Sequence, residues 1–223
     1  MEIHPNAFDD IMIPTYIINL KHRPERLRHA LNQFEDRPEF DIQVVDACRH
    51  TNGAKGLWQS IVKVIKIAIE NNDDVIIVCE DDHEFTEYYT KEYLLQNIIE
   101  ANEQGCAILS GGIGSFGHAV PLTANRMWVN PFQSTQFIIL YKKIFEKILT
   151  YKFKKDDAAD LILAQMTSHK MVLYPFISRQ KDFGHSDCTS LHNEKPGLVQ
   201  NMFQKTEERF RIIQNAYLKY NVK

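Results

Sequence analysis

Short apolar runs alternate along the chain with longer stretches in which apolar residues recur every three or four positions. The first run, Thr15-Tyr16-Ile17-Ile18-Asn19-Leu20, is β-branched and aromatic, follows Pro14, and predicts a buried strand. Pro24 then stands where a helix would begin, and Leu27, Ala30, Leu31 and Phe34 mark one face of that helix. Asp41 to Val45 predicts a second, short strand. Asn52-Gly53-Ala54-Lys55-Gly56 reads as a loop, and Leu57 to Glu70 as a long helix buried through Trp58, Ile61, Ile65 and Ala68. Asp74-Val75-Ile76-Ile77-Val78-Cys79 is apolar after its first residue, as a central strand covered on both faces should be. It stops abruptly at Glu80-Asp81-Asp82.

The second half is read in the same way. Tyr88 to Ala101 predicts a helix, Cys106 to Leu109 a strand, and the Gly-rich Ser110 to Pro121 a flexible loop over a substrate. Ser134 to Tyr141 predicts a strand, Lys142 to Tyr151 and Ala158 to His169 helices, Met171 to Tyr174 a strand, and Pro196 to Tyr220 a closing helix. Strands alternating with helices imply an α/β layer fold around a mostly parallel sheet. The expected organisation is a single domain over residues 1–223, with a core of about 13–190 and a C-terminal helix of about 196–220.

Composition narrows the function classes. The chain has 223 residues and 26.0 kDa, is 44% hydrophobic and 25% charged, and carries only nine glycines and eight prolines. That excludes disordered, collagenous and disulfide-scaffold readings. The 26 basic residues face 29 acidic ones, for a net charge of −3, which argues against a nucleic-acid binder working by phosphate neutralisation. Cys48, Cys79, Cys106 and Cys188 form no C-x-x-C pair and suit reduced thiols. With no signal-like N-terminus and no membrane-length apolar window, the expectation is a soluble, cytoplasmic protein.

The sharpest candidate chemistry is Glu80-Asp81-Asp82 directly after a strand. Ligands gather at the carboxyl ends of strands in open α/β sheets, and three consecutive acids repel one another unless a cation such as Mg²⁺ or Mn²⁺ joins them. The bland alternative is a solvated acidic turn. Asn19-Leu20-Lys21-His22-Arg23-Pro24-Glu25-Arg26 turns from a strand into a helix N-terminus, where amides, Arg23 and Arg26 suit a phosphate. Asp46, followed by Lys55 ahead of a helix, suits a ribose hydroxyl and a phosphate, although no P-loop pattern is present. Gly112-Ile113-Gly114-Ser115-Phe116-Gly117 matches G-x-G-x-x-G but fails as a dinucleotide fingerprint, because Pro121 blocks the helix it should open. Among the histidines, His185 stands out in a polar loop, Gln180 to Asp187. Lys142, Lys143, Lys147, Lys152, Lys154 and Lys155 make a basic stretch that is either a solvated face or a surface for an anionic lipid or glycan.

In order, these segments resemble glycosyltransferase family 25, the lipooligosaccharide galactosyltransferase-like enzymes. The resemblance rests on Tyr16 to Arg26, similar to the family's strand followed by N-L-x-x-R-x-[DE]-R, then Asp46-Ala47, the helix start at Gly56 to Ser60, and the strand ending in Glu80-Asp81-Asp82. It continues through Thr135 to Leu149, Asp160, Tyr174 to Gln180 and Ser186-Asp187, so that it covers most of 13–190. The family's usual Ser-His pair stands here as Ser60-Ile61. The resemblance implies a GT-A type, Rossmann-like sheet and transfer of a sugar, with inversion, from a UDP-type nucleotide sugar to a cell-surface glycan such as lipopolysaccharide or capsular polysaccharide. It implies Mn²⁺ or Mg²⁺ at the DxD-like motif, with Asp82 the direct ligand and Glu80 or Asp81 assisting, and His185 in its polar loop is a further candidate ligand. Asn19, Leu20, Arg23, Arg26, Asp46 and Lys55 would border the nucleotide, and Asp160 or Asp157 would be the general base. It also implies a glycan or lipid-linked acceptor reached at an anionic inner-membrane surface. The competing readings are an inactive sugar-nucleotide-binding subunit and a metal-dependent phosphoryl-transfer domain.

Overall fold

Every residue of β1 (Ile13–Asn19) except Pro14 is buried, and the reason is its place between two neighbours in the sheet. It pairs in parallel with β2 (Phe40–Asp46) on one side and with β3 (Val75–Glu80) on the other. The computed structural model describes residues 8, 10–184 and 197–221. Between these strands run α1 (Pro24–Gln33) and α2 (Gly53–Glu70). The remaining elements are β4 (His83–Phe85), α3 (Lys91–Glu103), β5 (Ile108–Ser110), β6 (Ser115–Pro121), β7 (Arg126–Gln133), β8 (Phe137–Tyr141), α4 (Phe145–Thr150), α5 (Ala159–Met166), β9 (Lys170–Leu173), β10 (Ser178–Gln180) and α6 (Leu198–Asn221).

Eight strands form one sheet in the order β2-β1-β3-β8-β5-β9-β7-β6, and β4 and β10 pair separately. Six of the eight run the same way; β7 and β8 run against them. This mostly parallel sheet flanked by helices is the α/β layer arrangement expected from the sequence. The period of two along each strand sorts the core onto both faces. Tyr16, Ile18, Ile76, Val78, Ile138 and Leu140 pack with Trp58, Ile61 and Ile65 of α2. Ile17, Ile77, Cys79 and Ile139 turn the other way, toward Ala30 and Phe34 of α1 and Leu94, Leu95 and Ile98 of α3.

Three sequence expectations need correction. The first turn of α2 is Gly53–Gly56, read above as loop; Asn52 caps it by accepting the Lys55 amide at 3.2 Å. The Gly-rich segment is not a loop over a substrate. Gly111, Gly112 and Gly114 are buried, and β6 follows as one arm of a hairpin with β7, a strand the local pattern did not announce. Leu31, assigned to the buried face of α1, is 40% exposed, because α1 buries Arg26 and Ala30 instead. At the far edge α6 covers β6: Val199, Phe203 and Phe210 are buried, Thr206 donates to the Gly114 carbonyl at 2.7 Å, and the Arg209 guanidinium lies 3.8 Å from the Phe116 ring centre. Among the described residues no helix is long and apolar enough to cross a membrane.

Candidate functional site

The carboxyl ends of β1, β2 and β3 open into a cavity of about 670 Å³. One wall is the turn from β1 into α1, with Leu20, Arg23 and Arg26. A second runs from the end of β2 into α2 through Cys48, Arg49 and His50 to Gly56 and Ser60. The floor is Glu80-Asp81-Asp82, and the far side is formed by Gln133–Thr135, Ala158–Asp160 and the start of α6 at Leu198 and Met202. Gly56 is required where this second wall folds back on itself, since a Cβ there would stand 2.7 Å from the Cys48 carbonyl oxygen. Ser60 completes that junction by accepting the Cys48 amide at 2.8 Å and donating to the Gly56 carbonyl at 2.7 Å.

Two of the three acids are held by a buried cation. Arg26 Nη2 lies 2.7 Å from Asp81 Oδ1 and 2.8 Å from Asp82 Oδ2, and the side chains of all three are 9–10% exposed. Gln180 Nε2 donates to the same Asp82 oxygen at 2.8 Å, which leaves Asp82 Oδ1 buried and without a hydrogen-bond partner. Glu80 Oε1 accepts the Thr135 hydroxyl at 2.6 Å. Burial raises all three carboxyls. Glu80 is pushed up to about 8, with the Asp82 charge adding to burial and the Thr135 hydroxyl opposing it. Asp81 is pushed up to about 6, against the pull of Arg26. Asp82 also rises, against Arg26 and Gln180. Three adjacent acids in a poorly solvated pocket are costly as anions, and Arg26 offsets part of that cost.

Asp160 reaches the same cavity from the start of α5. Its Oδ2 accepts the Ser134 amide at 3.0 Å and its Oδ1 the Leu161 amide at 2.8 Å. Burial raises its pKa, opposed by those two amides. Asp157 does not share its helix side, because α5 begins only at Ala159. Its Oδ2 is taken by the Tyr151 hydroxyl at 3.0 Å and the Lys154 amide at 2.7 Å, away from the cavity lining.

The structure therefore gathers Leu20, Arg23, Arg26, Glu80, Asp82 and Asp160 around one space. Asn19, Asp46 and Lys55 stand behind the lining. Asn19 is buried at the end of β1 with its amide donating to the Leu20 carbonyl, and Asp46 is paired at the surface with Lys21 at 2.9 Å. His185 lies outside the described residues. Pattern reading missed Gln180, Thr135, Ser134, Arg49 and His50 as lining residues, because no local signal brings them to the edge of β3. Among the described residues no three His, Cys, Asp or Glu side chains gather as a metal cage, and no acids from other strands join the cluster as a phosphoryl-transfer domain would need.

No family model matches the chain, and no curated protein matches it. Among solved structures, the crystal structure of A197 from STIV aligns with a TM-score of 0.54 at 13% identity, over 76% of this chain and 85% of that one. A glycosyltransferase involved in the glycosylation of the major capsid of PBCV-1 aligns at a TM-score of 0.40 and 11% identity, over 61% and 63%. UDP-glucose pyrophosphorylase complexed with UDP-glucose aligns at 0.48 and 13%, over 93% and 81%. The likeness to A197 is one of fold.

Proposed function

We propose that this chain is a glycosyltransferase of the family 25 type, moving a hexose from a UDP-type nucleotide sugar to a hydroxyl of a cell-surface glycan such as lipopolysaccharide or capsular polysaccharide. The observation that carries this reading is the convergence of three distant segments, Leu20–Arg26, Glu80–Asp82 and Asp160, on one cavity at the carboxyl edge of the sheet. A volume of about 670 Å³ suits a ligand of nucleotide-sugar size.

The donor set fits a hard divalent cation in one specific way. Asp82 Oδ1 is a buried carboxylate oxygen with no hydrogen-bond partner, the kind of atom Mn²⁺ or Mg²⁺ takes, and Glu80 and Asp81 flank it. With no full cage among the described residues, the donor's phosphates would complete the coordination. A bound cation supplies neutralisation of the diphosphate and of the charge developing on the leaving nucleotide. Arg23, at the open end of α1, adds positive charge on the same side. Asp160, which lines the same cavity, would take the proton of the acceptor hydroxyl while that oxygen attacks the sugar carbon from the face opposite the leaving diphosphate, giving inversion. Leu198, Met202 and Ala159 make that side of the cavity apolar.

Calorimetric titration of UDP in EDTA and in Mn²⁺ tests the cation: binding in Mn²⁺ alone is expected, and equal affinity in both removes it. Cation-dependent hydrolysis of UDP-hexose by the purified protein separates an enzyme from a binding subunit of the same fold. Asp160, whose two oxygens each hold a backbone amide, favours the binding subunit if no hydrolysis is seen.

A further inference from the structure

Arg26 and Asp82 occupy contradictory places in a site for a cation and a diphosphate. A guanidinium in the first turn of α1 belongs with phosphate, yet its Nη2 is 2.7–2.8 Å from both Asp81 Oδ1 and Asp82 Oδ2, the carboxylates a cation would need. We propose that Arg26 is an exchangeable counter-ion: it occupies Asp81 and Asp82 while no divalent cation is there, and it turns to the donor diphosphate when a cation takes the two carboxylates. This inference rests on the nucleotide-sugar reading and adds to it the order of charges within the site.

Four observations support the exchange. Asp82 is only 6% exposed, and its Oδ1 has no hydrogen-bond partner, so one oxygen of that carboxylate is held neither by Arg26 nor by Gln180. Gln180 Nε2 holds Asp82 Oδ2 independently of Arg26, at 2.8 Å, so the carboxylate keeps its orientation after the guanidinium leaves. Arg26 itself lines the cavity, so its movement from the acids to a phosphate is a change of rotamer rather than of backbone. The Phe183 ring lies 4.9 Å from the Arg26 guanidinium carbon and covers it, a stacking contact that a planar guanidinium can retain as it swings. Charge balance runs the same way throughout. Without a cation the acids are offset by Arg26 in contact and by the Arg23 charge beside Asp81. In the loaded site two positive charges on the cation and one on Arg26 face the carboxylates and the diphosphate together.

The test uses Mn²⁺ alone, then UDP with saturating Mn²⁺, on the full chain by calorimetry, comparing the unaltered protein with Arg26→Gln and Arg26→Lys. Removing an internal competitor from the carboxylates should tighten Mn²⁺ binding about tenfold in Arg26→Gln, while UDP affinity in Mn²⁺ falls about tenfold. Arg26→Lys, which keeps the charge but not the fork, should fall between. If the unaltered protein binds neither Mn²⁺ nor UDP, the nucleotide-sugar reading itself fails. If it binds both, but folded Arg26→Gln binds Mn²⁺ no more tightly, Arg26 is a fixed structural partner and the exchange is overturned. Should the variants not fold, the Arg26 Nε–Hε resonance of the unaltered protein decides. It must shift on adding Mg²⁺ and again on adding UDP; a resonance indifferent to Mg²⁺ overturns the proposal.

Discussion

Ser134 stands in the left-handed region, at φ +88°, with its amide held 3.0 Å from Asp160 Oδ2. A serine in that region costs of order 1 kcal/mol or more, so the surrounding bonds must impose it. The next residue, Thr135, donates to Glu80 at 2.6 Å. The start of α5 is thereby tied to the acidic cluster through two consecutive residues of the β7–β8 connection. Asp160→Asn is expected to slow UDP-hexose turnover by about 10² while leaving UDP affinity in Mn²⁺ unchanged, as loss of a general base should. Ser134→Gly is expected to fold as well as the unaltered protein, since glycine adopts that φ freely. An Asp160→Asn protein that loses affinity as steeply as turnover would reassign Asp160 to holding Ser134 in place.

Gly112 belongs to the G-x-G-x-x-G match, and its surroundings explain why that match has nothing to do with phosphate. A Cβ at Gly112 would lie 2.0 Å from the Ser178 carbonyl oxygen and 3.2 Å from Phe176 Cβ, so the glycine lets two backbones touch beneath the site. Gly112→Ala is expected to destabilise by about 1–3 kcal/mol, since backbone must shift to admit the methyl group. In a chain of this size each kcal/mol lowers the melting midpoint by ~2–4 °C. An unchanged midpoint would show that the Phe176–Ser178 segment yields.

The parts of the molecule legible in the sequence were those whose cause is local. β1 and β3 announce themselves as apolar runs, β2 as a short mixed one, and Pro24 fixes the start of α1. The abrupt change from Cys79 to Glu80 marks the functional edge of the sheet without knowledge of its neighbours. β7 was illegible because Asn130-Pro131 stand inside it and it opens on a charged residue, Arg126. That cation is 1% exposed and is stabilised by Glu100 at 2.7 Å and Asn97 at 2.5 Å, partners on α3. Glycines at 53 and 56 concealed the first turn of α2, although Asn52 was there to cap it. The pairing of Arg26 with Asp81 and Asp82 crosses more than fifty residues of sequence, so periodicity could name both partners as site residues but not join them.

His29 of α1 gives the fold a pH response where it meets β4. Its Nε2 faces the His83 carbonyl at 3.0 Å and its Nδ1 faces Lys181 Nζ at 3.3 Å, so the neutral ring donates to the carbonyl and accepts from the ammonium. Burial first and the Lys181 charge second lower its pKa from 6.5, with Glu84 and Asp82 pulling weakly the other way. A depressed histidine contributes stability that is complete above its ordinary value and is lost as pH falls through the lower, folded one. Urea midpoints measured from about pH 7.5 down to about pH 5 should therefore fall more for the unaltered protein than for His29→Gln, which keeps a donor and an acceptor but cannot titrate. Parallel profiles would remove His29 from the acid response.

The six lysines between 142 and 155 do not form one face, and this changes what they can do at a membrane. Lys142 is paired with Asp74 at 2.9 Å, beside the start of β3 and so at the end of the sheet opposite the cavity. Lys147 donates to the Met166 carbonyl at 3.4 Å. Lys152, Lys154 and Lys155 are exposed and lie near the cavity mouth, where the Lys155 carbonyl accepts the side-chain amide of Asn52, the cap of α2, at 2.9 Å. Each lysine close to anionic lipid contributes roughly 1 kcal/mol, so this trio can give weak, salt-sensitive attachment with the mouth turned toward a lipid-linked acceptor. Co-sedimentation with phosphatidylserine vesicles at low salt should fall when Lys152, Lys154 and Lys155 are all replaced by Gln. It should be unchanged when Lys142 and Lys147 are replaced. High salt should abolish it in every case, because exposed charges are screened within about 10 Å at 0.1 M. If the unaltered protein stays in the supernatant at low salt, the trio is a solvated basic surface and the acceptor is met in solution.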